Sequence, residues 1–155
     1  MRFWTHYWTH ETAVYTTSQG SEPTRHTAGN RFLSRGVEPG DRVYIISFWE
    51  NSMRLLGRID VERIVGFDEA WDLLGYEPWD APEQILGNES SAAPSLKIRD
   101  LTKSQLKRVE FINKGNKPAF VVKNKAGNIE PGSFRAVREL TEDTARKFDS
   151  ILGVP

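Results

Sequence analysis

Residues 28–64, AGNRFLSRGVEPGDRVYIISFWENSMRLLGRIDVERI, constrain the fold more than any other stretch of the chain. They read as one supersecondary unit. A short basic helix over 28–35 carries Phe32 and Leu33 on one side and stops at Gly36. Pro39-Gly40-Asp41 is a turn, because proline presets φ and glycine accepts a positive value. The apolar run RVYIISFW at 42–49 is a central strand, Glu50-Asn51-Ser52 a hairpin tip, and 54–65 a returning strand of period two. On that strand Leu55, Gly57, Ile59 and Val61 share one side, while Arg54, Leu56, Arg58, Asp60 and Glu62 make a mostly polar one. Gly57 in mid-strand marks a bulge or a close backbone approach. The unit is expected to bring Asn30, Arg31 and Trp49 to one surface, where a planar ligand is held.

The flanks add shorter elements. Residues 2–8 are aromatic and β-prone, hence a first strand, and 16–27 form a polar loop. Residues 67–74 make a short amphipathic helix. The Pro-, Gly- and Ser-rich segment 75–95 is a long insertion loop with one helical turn at 82–86. Thr102 with Gln105 has capping-box spacing. Residues 108–113, 119–123 and 134–140 are further strands. Thr141 caps a last helix that carries Glu142 and Asp143 in its first turn and Ala145, Phe148, Ile151 and Leu152 on one face. Unevenly spaced strands with short helices indicate the α+β class: a strongly bent mixed or antiparallel sheet forming a small barrel, in a single domain over 1–155.

Composition excludes several function classes. Twenty-one Lys and Arg balance 21 Asp and Glu, which disfavours a uniformly basic nucleic-acid binder but leaves a local basic face open. With no cysteine there is no disulfide, thiolate metal site or thiol nucleophile, as suits a reducing cytoplasm. No signal-peptide core and no long apolar span occur, so no membrane is expected. Walker, Rossmann, GxSxG and HExxH patterns are missing, and no cofactor is expected. His6 and His10 share a strand side with Glu11 adjacent, but a metal needs a third ligand, and none is expected.

Aromatic residues make up 11% of the chain, five of them tryptophan. Trp4, Trp8, Trp49, Trp71 and Trp79 must serve as core, stacking surface or both. Trp4 and Trp8 share one strand parity and Phe3 and Tyr7 the other, so one pair faces the core and the other lines a cleft. Trp71 is expected in the core, and Trp79 as a lid or an anchor. Aromatic walls hold bases because every base has a π face, and a flipped base is read by hydrogen bonds to its edge. Asn30 and the hydroxyls of Thr5, Thr9 and Ser47 suit that reading. Arg25, Arg35 and Arg54, with Arg31, suit phosphate contacts.

In these residues the chain resembles the EVE domain family, of the PUA-like superfamily that also holds YTH and ASCH domains. Phe3-Trp4 resembles the aromatic opening strand. Ala28-Gly29-Asn30-Arg31-Phe32-Leu33 and the following Val37-Glu38-Pro39-Gly40-Asp41-Arg42-Val43-Tyr44 resemble the Asn-bearing helix, V-x-x-G-D turn and central strand. Leu56-Gly57-Arg58-Ile59 resembles the returning strand, and Gly132-Ser133-Phe134-Arg135 to Leu140-Thr141-Glu142 the closing strand and helix. The family usually has Lys-Ser after the first tryptophan. Here Thr5-His6-Tyr7-Trp8 stands instead, which puts the polar set of the pocket in question.

The resemblance implies a PUA-like barrel and a non-catalytic, monomeric module that binds a modified base of DNA or RNA. Trp4, Trp8 and Trp49 would be its walls, with Asn30, Arg31 and Ser47 as polar contacts. Two alternatives accompany it. One is an ASCH-like amidohydrolase acting on acylated nucleosides, disfavoured because no lysine precedes Lys97. The other is a protein-interaction domain with an exposed apolar patch in place of a pocket.

Overall fold

A long β-hairpin is the spine of the computed structural model, which describes residues 1–89, 93–121 and 123–155. Its strands, β3 (Arg42–Trp49) and β4 (Ser52–Val65), pair from Arg42↔Asp60 to Trp49↔Ser52. The tip residues Glu50 and Asn51 have φ of 51° and 53°, the left-handed pair that a two-residue type I′ hairpin needs. Asn51 also accepts from the Ile129 N–H at 2.8 Å, which ties the tip to a distant loop.

Around the hairpin lie β1 (Phe3–Tyr7), α1 (His10–Ser18), β2 (His26–Gly29) and α2 (Phe32–Arg35) before it. After it come α3 (Phe67–Leu74), β5 (Glu83–Gly87), β6 (Arg99–Asp100), α4 (Lys103–Leu106), β7 (Glu110–Asn113) and β8 (Lys117–Phe120). A 3-10 turn at Pro131–Ser133, β9 (Arg138–Leu140) and α5 (Glu142–Leu152) complete the chain. The strands run β2-β5-β4-β3-β1-β9-β7-β8, with β6 added to β4. β1 is parallel to β3, and the other pairings are antiparallel. The α+β class and the bent mixed sheet are therefore as the sequence indicates. The sheet is a half-barrel, since β2 and β8 are its two unpaired ends among the described residues.

A bulge divides β4. Ile45 pairs with Gly57 but Ile46 with Leu55, so Leu56 is an extra residue. An extra residue turns the following side chains to the other face. Met53 and Leu55 thus pack in one core with Tyr44, Ile46, Phe111, Phe134 and Phe148. Ile59 and Val61, of the same parity, pack in a second core with Trp4, Trp8, Phe32, Ile45, Leu56 and Ile85. The single apolar face read from period two is corrected accordingly. Both pairs on β1 also meet a core: Trp4 and Trp8 the second, Phe3 and Tyr7 the edge of the first.

The polar side of β4 is solvated only at its far end, where Glu62 is exposed. Arg58 is buried and donates to Asp149 Oδ1 at 2.8 Å. Tyr44 Oη donates to the same oxygen at 2.9 Å, and Arg42 to Asp149 Oδ2 at 3.1 Å. Asp149 lies on α5, so this network fastens the last helix to the hairpin. Thr141 caps that helix by accepting from Thr144 N at 3.3 Å, and Thr102 forms the full capping box with Gln105 on α4.

Several local readings change. Residues 10–18 are helical although HETAVYTTS has no apolar stripe; Thr9 starts the helix by accepting from Thr12 N, and only Ala13 is buried. Residues 26–29 are strand rather than the end of a loop and the start of a helix, because Thr27 and Ala28 pair with Ile85 and Gln84. Residues 75–95 are not one loop: Gln84, Ile85 and Leu86 are buried in β5 between β2 and β4, which also replaces the helical turn at 82–86. Positions 90–92 of that segment, and position 122 of the strand expected at 119–123, lie outside the described residues. The closing strand is only Arg138–Leu140, with Phe134 buried beside the 3-10 turn. Trp71 is 44% exposed on α3 rather than in the core. No helix among the described residues is long and apolar enough to cross a membrane.

Candidate functional site

Two clefts meet at the C-terminal half of β1. One, of about 620 Å³, runs between α1 and the 79–81 segment and is lined by Trp8, Tyr15, Ala28 and Trp79 among others. The other, of about 420 Å³, is lined by Gly29, Asn30, Arg31, Arg135, Ala136 and Val137. His6 and Tyr7 line both, so together they form one groove with a ridge in its floor.

The first half is aromatic. Trp8 meets Trp79 edge-on at 5.1 Å between ring centroids, and His26 lies 5.7 Å from Trp79. Gln84, fully buried on β5, holds the Trp79 segment in place. Its amide donates to the carbonyls of Trp79 and Ala81 at 2.8 and 2.7 Å, and its Oε1 accepts from His26 Nε2 at 2.6 Å. Trp79 keeps 37% of its exposure, so a wall remains open.

The second half is cationic. Arg31 and Arg135 are exposed, and neither guanidinium has a hydrogen-bond or ion-pair partner among the described residues. Next to Arg135, Ala136 is held at φ 72°, a left-handed conformation that non-glycine residues rarely keep and that concentrates at functional sites.

The ridge joins the two halves. Trp8 Nε1 donates to Thr27 Oγ1 at 2.9 Å, and Thr27 Oγ1 lies 3.0 Å from His6 Nδ1. The His6 ring also sits edge-on to Phe32 at 4.8 Å. Burial lowers the His6 pKa to about 4, so the imidazole is neutral near pH 7. Burial lowers that of His26 as well, against the opposing effect of the hydrogen bond it donates to Gln84. Among the described residues no three His, Asp or Glu side chains are grouped to hold a metal ion.

Against known proteins, no family model matches this chain and no curated protein matches it. Among solved structures it is similar to a ZmASCH mutant protein from Zymomonas mobilis. The two are 15% identical, with a TM-score of 0.47 over 97% of this chain and 96% of that one.

The residues singled out from sequence fall into three groups. Trp8, Asn30 and Arg31 lie in the groove. Trp4 and Ser47 are buried supports: Trp4 Nε1 donates to Asp41 Oδ2 at 2.9 Å, and Ser47 Oγ to the Trp8 carbonyl at 2.6 Å. Trp49 lines neither cleft. Its ring carries His10 stacked at 4.2 Å and the Arg54 guanidinium at 4.0 Å, so the tip of the hairpin does not join Asn30 and Arg31.

The basic residues also separate. Arg54 is buried, bonded to Asp100 at 2.8 Å and to the carbonyls of Trp49 and Ser52. Arg25 is exposed and pairs with Glu89 at 3.7 Å. Arg35 borders a different cleft with Trp4, Lys114 and Arg138. The Thr5 and Thr9 hydroxyls make internal bonds, to the Arg138 carbonyl and to Thr12.

Tyr7, of the pair expected to line a cleft if Trp4 and Trp8 face the core, does line it, whereas His6, Tyr15 and Arg135 are groove residues that the sequence does not single out. His6 shares the strand parity of Trp4 and Trp8, which was the available signal. Arg135 meets Arg31 only through the sheet, and no local pattern marks it.

Proposed function

We propose that this chain is an EVE-like, non-catalytic binding module that receives one modified base, extruded from a DNA or RNA strand, and does so as a monomer. One observation carries the reading: a single groove has an open tryptophan wall at one end and two unpaired guanidiniums at the other, with a neutral imidazole between. A base stacks on Trp79 beside Trp8, and its backbone phosphate meets Arg31 and Arg135. Phosphate contacts position a strand, while the base face and edge select it. Stacking on such a wall stabilises by about 1–3 kcal/mol per base.

Binding is favoured over turnover by the polar inventory of the groove. No lysine lines it, the Thr9 and Thr12 hydroxyls bond each other, and its carboxylates, Glu11 and Asp80, hold no hydroxyl nucleophile by hydrogen bond among the described residues.

The test is a fluorescence-anisotropy titration of labelled DNA and RNA single strands, with and without one modified base, across a salt series. Saturable binding that favours a modified strand and weakens in Trp79→Ala is expected. Equal, weak binding of every strand by wild type and variant removes the reading.

A further inference from the structure

Thr27 decides what His6 offers to the groove. An indole N–H only donates, so Thr27 Oγ1 accepts from Trp8 Nε1 at 2.9 Å. Among the described residues His6 Nδ1, at 3.0 Å, is the hydrogen-bonding neighbour left for the single hydroxyl proton of Thr27, and the inference rests on the tautomer in which it takes that proton. A neutral imidazole that accepts at Nδ1 carries its proton at Nε2. Nε2 itself has no partner among the described residues and is not sealed away as a buried unpaired atom. It lies beside Gly29, where an added Cβ would come within 3.6 Å of it, and so at the Asn30 end of the groove.

Three backbone acceptors of the aromatic half are engaged. The Trp8 carbonyl accepts from Ser47, and those of Trp79 and Ala81 from Gln84. The ridge of the groove therefore presents a fixed, uncharged donor.

Resting on the groove reading above, we infer that His6 is the specificity-determining residue, its Nε2–H donating to a carbonyl oxygen on the edge of the bound base. The class selected is keto bases, of the uracil, thymine or guanine type, over adenine, which turns an exocyclic N–H donor to the place where those bases have a carbonyl oxygen. A site built to hydrogen-bond one ligand group discriminates against the analogue that lacks it, because the site's own group is left unpaired.

Two measurements test this. Long-range ¹H–¹⁵N spectra of the wild-type protein are expected to show His6 protonated at Nε2 alone near pH 7; protonation at Nδ1 overturns the inference. Anisotropy titrations then compare an oligo-dA strand carrying one 5-hydroxymethyluracil with the same strand carrying one N6-methyladenine. The uracil strand is expected to bind about tenfold tighter, the worth of one neutral hydrogen bond. His6→Phe is expected to bring the two strands level. His6→Gln, whose amide nitrogen reaches the place of Nε2, is expected to keep the preference. Equal binding of both strands by wild type, or a preference that survives His6→Phe, overturns the role of His6 and leaves the groove reading standing. Binding of neither strand by the wild-type protein overturns both.

Discussion

The Trp4 indole N–H donates to Asp41 Oδ2 across 2.9 Å, joining the first strand to the Pro-Gly-Asp turn that precedes β3. The same carboxylate accepts from Arg2 N at 2.8 Å and Glu38 N at 3.0 Å. One buried side chain thus satisfies three donors and fixes the parallel register of β1 on β3. Asp41→Ala leaves all three unpaired and is expected to destabilise the protein by about 2–4 kcal/mol in urea unfolding. Asp41→Asn, which keeps an oxygen acceptor, is expected to lose less. A wild-type midpoint for Asp41→Ala would show that this carboxylate is not the anchor.

Asp149 serves the other core in the same way. It accepts from Tyr44, Arg42 and Arg58, and the Arg58 side chain is only 2% exposed. Asp60 also pairs with Arg42 and Arg58, each at 3.2 Å, so Asp149→Ala removes charged hydrogen bonds without stranding either guanidinium and is expected to lose about 2–3 kcal/mol. Tyr44→Phe removes one hydrogen bond and keeps the ring against Phe148, and is expected to lose about 1 kcal/mol. Unfolding of both variants in guanidinium chloride checks the order, and a larger loss for Tyr44→Phe contradicts it.

Mild acid should weaken the fold through His6. In the unfolded chain a histidine titrates near 6.5, and in the folded one burial brings His6 to about 4. Between those values the unfolded chain binds more protons, so stability is full above about pH 6.5 and falls as pH drops toward 4. The loss is expected to be about 1–3 kcal/mol, and His26, lowered by the same cause, acts in the same direction. Urea unfolding at pH 7 and pH 4.5 measures it. His6→Gln should shrink the difference between the two; an unchanged difference would place the acid sensitivity elsewhere.

The groove predicts separable effects on binding. Trp79→Ala is expected to weaken base-dependent affinity by about 1–3 kcal/mol. Arg31→Ala and Arg135→Ala are expected to weaken all strands alike and to lower the salt slope by about one each. Trp49→Ala, whose ring is engaged by His10 and Arg54, is expected to change stability and leave affinity unaltered. A salt slope unchanged in both arginine variants would remove phosphate from this end of the groove.

Much of the scaffold is legible in the amino-acid order alone. The boundaries of Phe67–Leu74, the capping box at Thr102 and the Thr141 cap depend on residues within a few positions of one another. So does the turn at residues 39–41, although its role as a three-donor anchor is not visible there. The misreadings have other causes. The helix at His10–Ser18 has no apolar stripe and starts on the Thr9 cap, while the strand at Glu83–Gly87 carries a weak local pattern and is fixed by pairing with strands far along the chain. The bulge at Leu56 inverts faces that a strict period of two keeps together.

For the site, the sequence alone determined that aromatic walls and an Asn30–Arg31 pair exist, because residue chemistry is local. Only the tertiary structure decided which of them meet. It engages Trp4, Ser47, Trp49 and Arg54 in packing and brings Trp79 and Arg135 to the groove. The 28–64 unit therefore contributes its Asn30 end to the groove and not its Trp49 end. The physical reason is that a hydroxyl, indole or guanidinium offers the same groups wherever it lies. Whether those groups face a ligand or a neighbour is set by strand pairing across the sheet, and Arg31 and Arg135 become neighbours only when β1, β2 and β9 take their places in it.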